Sequence, residues 1–130
     1  MKIDIDYIKM LLNDFEECDS AYLNSLFLRK YLTKNENKFI FHWEILQDKG
    51  LVSGANGKVV NIIQHGLNDY IFIGGINLRL TDQGHQFYEA LKDEEILEKL
   101  KSNVKSFSID SMMKVAKILF DKKLESLLDA

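Results

Sequence analysis

Proline is absent from the 130 residues, and cysteine and tryptophan occur once each. With no proline, no low-complexity tract and no internal repeat, nothing marks an interdomain linker, and one continuous domain is expected over 1–130. Cys18 has no partner for an internal disulfide, and Glu17 and Asp19 on either side disfavour its thiolate, so it makes a poor nucleophile. The three histidines, His42, His65 and His85, are 23 and 20 residues apart with no cysteine or carboxylate at ligand spacing, which argues against a metal site. A phosphate-binding glycine loop is missing too; Gly74-Gly75 reads as a hairpin turn or a bulge. No 18 consecutive residues are apolar, and the opening Met1–Asp6 has no signal-peptide run, so a cytoplasmic protein without a membrane span is expected. No catalytic residues and no cofactor are expected.

What is present is an ordinary globular composition, 46% hydrophobic and 28% charged, enough for one core without disulfides or metal. The net charge of −3 is unevenly spread. Residues 1–20 carry −4, 21–60 carry +3, 61–80 balance, 81–100 carry −4 and 101–130 carry +2. Only the segment 21–60 could attract a polyanion locally.

Apolar spacing sets the element order. Ile5, Ile8, Leu12 and Phe15 predict a first amphipathic helix over 4–17. Leu23, Leu26, Phe27 and Tyr31, following Asp19-Ser20 as a cap, predict a second. Thr33-Lys34-Asn35-Glu36 reads as a capping box with Thr33 as the cap, starting a third helix that runs to about Lys49. Gly50 stops it where a left-handed residue is wanted. Six of the seven glycines then fall between 50 and 75, and the runs Val59–Ile63, Tyr70–Ile73 and Ile76–Leu80 predict a two- or three-stranded hairpin. Thr81, Asp93 and Ser108 are read as caps of three further helical segments.

This is α+β, mostly helical, in the order of a winged helix-turn-helix domain: a core over 1–92, a β-hairpin wing at about 51–80, and a C-terminal helical extension over 93–130. His42-Trp43-Glu44-Ile45-Leu46-Gln47-Asp48-Lys49-Gly50-Leu51-Val52 looks like a recognition helix turning through Gly-Leu into the wing. Leu78-Arg79-Leu80-Thr81-Asp82-Gln83-Gly84-His85-Gln86-Phe87 looks like the junction that follows it. Met1-Lys2, Asp4, Asp6 and Ile8 at the opening, His42, Leu46, Gly50 and Leu51 in the third helix, and Arg79-Leu80-Thr81, Gly84-His85, Phe87, Ala90 and Asp93 at the junction resemble the bacterial and prophage proteins grouped as domain of unknown function 2513. In that family an aromatic-acidic pair usually stands where this chain has Asp82-Gln83. The resemblance implies a winged-helix fold and a mobile-element origin and supplies no reaction. It also implies a structural role for His85, its ring bonded to a carbonyl or carboxylate beside the small Gly84.

On the third helix, Phe39, Ile40, Trp43 and Leu46 form the stripe expected to meet the core. Lys34, Lys38, Phe41, His42, Ile45 and Lys49 lie opposite. Three readings of that face stand open. It meets double-stranded DNA, with lysines on phosphates and His42 or Asn37 near base edges. Alternatively Phe41 and Ile45 are buried against the wing or the extension. Or an exposed Phe41–Ile45 patch rimmed by lysine takes a protein partner. Lys58 is a candidate contact at the wing tip, although a solvated turn explains it as well, and His65 is expected to be exposed. The last helix presents Ile109, Met112, Met113, Ala116, Leu119, Phe120, Leu124 and Leu127, a seam wider than a lone surface helix needs. It is covered either by the first helix or by a second copy in a homodimer. The reading is a non-enzymatic DNA-binding regulator, the alternative a protein-interaction module.

Overall fold

Asp4 starts the first helix as an N-cap, its carboxylate accepting the Tyr7 amide at 3.1 Å. Helix α1 (Ile5–Glu17) buries Ile5, Ile8, Leu11 and Leu12, the face that its periodicity predicts. The computed structural model describes residues 1–129, and among them the chain forms an α+β fold of six α-helices and two small antiparallel sheets.

The expected second helix is broken into three pieces. Leu23–Asn24 form strand β1, paired antiparallel with strand β5 (Asn77–Leu80) in the register Leu23↔Leu78. The Asn24 side chain, not Asp19-Ser20, caps the next turn by accepting the Leu26 amide at 3.0 Å, and that turn is a 3-10 helix over Ser25–Leu28. Helix α2 (Arg29–Lys34) follows. Leu23 therefore reaches the core from a strand, and Leu26 and Phe27 are exposed rather than forming a buried stripe.

Asn35 makes the corner between α2 and α3 (Glu36–Asp48). Its amide donates to the Tyr31 carbonyl, ending α2, while its side chain accepts the Lys38 amide at 3.2 Å, starting α3. Thr33 lies inside α2, so the capping box over 33–36 does not form. Helix α3 buries Phe39, Trp43 and Leu46 as expected, with Ile40 half-buried. Its end is a Schellman motif: Leu51 N–H donates to Leu46 O and Gly50 N–H to Gln47 O, with Gly50 at φ +65°.

Strand β2 (Val52–Gly54) pairs with β5, giving a sheet of order β1–β5–β2. The chain between them does not make one continuous wing. It turns tightly at Gly54–Lys58, with Gly57 at φ +81°, and then forms a separate hairpin of β3 (Ile63–His65) and β4 (Ile71–Ile73). The strand expected over Val59–Ile63 begins only at Ile63, because the Asn61 side chain takes the Ile63 amide and Val59 is exposed. The turn of this hairpin is Leu67–Asp69, with Asn68 and Asp69 at positive φ. Gly74-Gly75 instead links β4 to β5.

The hairpin is docked on the body. Ile62, Ile63 and Ile73 are buried, and Arg29 reaches the Ile73 carbonyl at 3.3 Å. Ser25, fully buried, donates its hydroxyl to the Gly74 carbonyl and accepts the Ile76 amide at 2.9 Å. Two polar groups of the β4–β5 link are thereby satisfied in the interior.

Thr81, Asp93 and Ser108 cap α4 (Asp82–Leu91), α5 (Glu94–Ser102) and α6 (Ile109–Leu128), as the sequence predicts. Thr81 also latches the two halves of the fold: its amide donates to Leu51 O and its hydroxyl to Gly50 O. Gly84 sits so close to the Leu51 carbonyl that a Cβ there would overlap its oxygen. His85 next to it is exposed, so the small residue of the pair carries the packing and the expected ring anchor does not form. Helix α6 packs on α4 and α5 rather than on α1, burying Ile109, Met112 and Ala116. Its partners are the two helices that precede it in the chain, which short connections favour. Lys123 grips both carboxylate oxygens of the α5 cap Asp93 at 2.7 and 2.8 Å. One buried cluster runs from α1 to α6.

Candidate nucleic-acid interface

The residues read as a DNA-binding set are divided by the structure into three groups. His42 is buried, 1% exposed. The Asp4 amide points at its Nε2 at 2.9 Å and its Nδ1 lies 2.7 Å from the Lys38 carbonyl. An amide can only donate, so Nε2 is the acceptor, Nδ1 carries the proton, and the ring is neutral. Tyr7 and Phe41 stand against it, with ring centroids 4.8 and 5.1 Å away. Burial pushes its pKa below the usual histidine value, outweighing the raising effects of the Lys38 carbonyl and of Asp4. The expectation that His42 reads base edges is therefore corrected: it ties the N-terminus to α3.

The second group is engaged in ion pairs. Lys38 Nζ lies 3.0 Å from Asp4 Oδ2 and 4.9 Å from the centre of the Tyr7 ring. Although burial pushes the Asp4 carboxyl up, Lys38 and the Tyr7 amide hold it below its ordinary range. Lys49 pairs with Asp110 in the first turn of α6 at 3.1 Å.

Lys34, Asn37 and Lys58 form the third group and are exposed, with no ion pair to either lysine among the described residues. Lys34, Asn35 and Lys38 converge with Tyr7, Met10 and Tyr31 on a shallow cavity of about 210 Å³ at the α2–α3 corner. Lys58 stands apart, in the Gly54–Lys58 turn. Two cations missed in the sequence complete the set. Lys30 is exposed on α2 with its ammonium 3.8 Å above the Phe27 ring. Arg79, on β5, reaches the turn beside Gly57. The helical spacing of Leu23, Leu26, Phe27 and Tyr31 gives no sign that Lys30 stands out over the Phe27 ring, and the approach of Arg79 to the turn depends on the β2–β5 register. The outward side of α3 is otherwise acidic, since Glu36, Glu44 and Asp48 are all exposed. Cationic surface thus lies at the corner and the turn rather than along α3.

The protein-interface set is divided as well. Phe41 and Ile45 are half-buried, Ile45 packing on the core, so they form no exposed apolar patch. Met112 is fully buried and Leu119 turns toward α5 beside Ile96, which removes both from an outward seam. Met113 and Phe120 remain half-exposed, lining a groove of about 640 Å³ between α4 and α6. Sequence reading missed the exposed aromatic face of the β3–β4 hairpin, where Tyr70 and Phe72 stack at 5.9 Å. Alternation along β4 signals it only once the strand's inner face is known.

Among the described residues no group of three or more His, Cys, Asp or Glu side chains could hold a metal ion, and no helix is long and apolar enough to cross a membrane. No curated protein and no solved structure matches the chain. Residues 2–110, from just before α1 to the first turn of α6, match the model of the family described as Hypothetical protein (DUF2513), and the chain belongs to that family.

Proposed function

We propose that the chain is a non-enzymatic winged-helix module that binds duplex DNA as a regulator, through the α2–α3 corner and the Gly54–Lys58 turn. Topology supports this reading: three helices interleaved with a three-stranded sheet of order β1–β5–β2, α2 and α3 meeting at a single residue, and a glycine turn at the end of β2 beside β5, with the β3–β4 hairpin inserted before the chain returns. In helix-turn-helix proteins the start of the second helix of the pair approaches the groove while neighbouring cations hold phosphates. Here the first turn of α3 exposes Asn37 beside Glu36, Lys34 closes α2 next to it, and Lys30 lies one turn earlier on α2. Lys58 and Arg79 supply a second phosphate contact at the turn.

Binding of random-sequence duplex at low salt tests the proposal, because the phosphate contribution is largest there. Replacing Lys30 and Lys34 together by glutamate should weaken binding on every sequence and flatten the salt dependence by about two units of slope, roughly 0.9 per phosphate contact. A folded double variant that binds DNA as the parent does would refute the placement.

A second reading, capture of a protein partner, is favoured by one observation. Tyr70 is 66% exposed and stacked on Phe72, with Leu67 at the adjoining turn 89% exposed, and aromatic anchors of this kind dominate protein interfaces. It predicts salt-insensitive binding that Tyr70→Ala abolishes without changing the melting temperature.

A further inference from the structure

Helix α6 outruns the body that supports it. Its 20 residues span about 30 Å, while the 10 residues of α4 span about 15 Å. The result is an apolar edge at its second half: Leu124, Leu127 and Leu128 are 44%, 73% and 85% exposed. That edge continues into the α4–α6 groove, where Met113 and Phe120 are half-exposed beside Phe87. Lys114 lines the groove as well, and two further charges, Lys117 and Asp121, stand one turn apart at the centre of the stripe. Neither of these two forms an ion pair among the described residues, whereas Lys123 on another side of the helix is held by Asp93 and Glu95.

We propose that this stripe is a self-association surface, on which α6 of a second copy lies antiparallel across a two-fold axis that passes beside Phe120, midway between Lys117 and Asp121. The occupant follows from the charges. A two-fold axis brings residue i of one copy to residue j of the other and j to i. An axis at that position sets Lys117 opposite Asp121 twice, and Met113 beside the partner copy's Leu124 twice. A stripe with a lysine and an aspartate at its centre is matched by its own antiparallel image. It suits neither a phosphate backbone nor a bilayer, both of which disfavour the central carboxylate. The family match ends at residue 110, so the stripe lies beyond the matched stretch. The pairing stands independently of DNA binding.

Light scattering of the full chain over a range of concentrations tests it, with a mass of twice the chain expected. Lys117→Asp and Asp121→Lys each place two like-charge contacts across the axis, and each should raise the dimer dissociation constant by about tenfold or more. The double variant K117D/D121K re-forms both pairs in reverse and should recover the dimer. Both side chains are exposed, so a parent-like far-UV circular dichroism spectrum and a cooperative melt confirm that the variants fold, the melting temperature falling only by what loss of the dimer removes; Leu124→Asp supplies a third disruption of the same edge. A parent that stays monomeric at its highest attainable concentration overturns the proposal. So does a dimer that both single reversals leave intact, or one that the double reversal fails to restore.

Discussion

Gly84→Ala is the smallest change that should break the fold at its joint. A Cβ at this position would overlap the Leu51 carbonyl oxygen, and would lie 3.1 Å from its carbon and 3.4 Å from Leu80 Cβ. The obstacle is backbone held by the Schellman turn at Gly50 and by the Thr81 amide, so it cannot swing aside like a flexible side chain. Overpacking of a tight contact costs about 1–3 kcal/mol. Moving Leu51 or α4 away also loosens the two Thr81 bonds, at about 1 kcal/mol each. The loss should total roughly 3–5 kcal/mol, a large share of the 5–15 kcal/mol that ordinarily holds a domain together. Gly74→Ala is the control: the nearest atom to its added Cβ is Gln64 Cγ at 3.7 Å, an ordinary contact. That variant should stay within about 0.5 kcal/mol of the parent. Urea unfolding of all three proteins decides the matter. A Gly84→Ala protein as stable as Gly74→Ala would refute the joint.

Acid should weaken the fold through His42. Its folded-state pKa is depressed, so the stability it contributes is present above its unfolded value of about 6.5 and lost as pH falls through the folded-state value. Protonation would set an Nε2–H against the Asp4 amide. Melting followed from about pH 7.5 down to pH 5 should decline in the parent and decline less in His42→Leu, itself less stable at neutral pH; equal slopes would contradict the assignment. Ser25→Ala leaves the Gly74 carbonyl and the Ile76 amide without their shared partner and should cost about 1–3 kcal/mol in urea unfolding. A cost below about 0.5 kcal/mol would mean that water replaces the hydroxyl. Lys123→Ala breaks a solvent-screened pair and should leave the urea midpoint close to that of the parent; a large shift would mean that Lys123 does more than pair with Asp93.

Local signals were readable wherever the structure uses them locally. The apolar stripes of α1 and α3, the left-handed Gly50 and the caps Thr81, Asp93 and Ser108 each depend on residues within one turn of the chain. The errors share the opposite property. Leu23 belongs to a two-residue strand, too short to carry a period, and its pairing with Leu78 is 55 residues away. Thr33 and Asn35 both suit a cap, and the Asn35 corner decides between them by ending one helix and starting the next. His42 sits among polar neighbours on a helical wheel, yet it is buried because its partner is the amide of Asp4. Lys38 and Lys49 read as phosphate contacts until Asp4 and Asp110 are brought to them. Asp4, His42, Gly50, Leu51, Thr81 and Gly84 carry the family resemblance, and all six serve to hold α1, α3, the sheet and α4 together.

Duplex DNA binding by the α2–α3 corner and the glycine turn is the proposal on which the proposed function rests. Fluorescence titration of a random-sequence duplex with the full chain, at low and at physiological salt, tests it most directly. Binding is expected at low salt, weakening steeply as salt rises, and the Lys30→Glu, Lys34→Glu double variant should bind more weakly with a flatter salt dependence. A folded parent with no detectable affinity at low salt would contradict it.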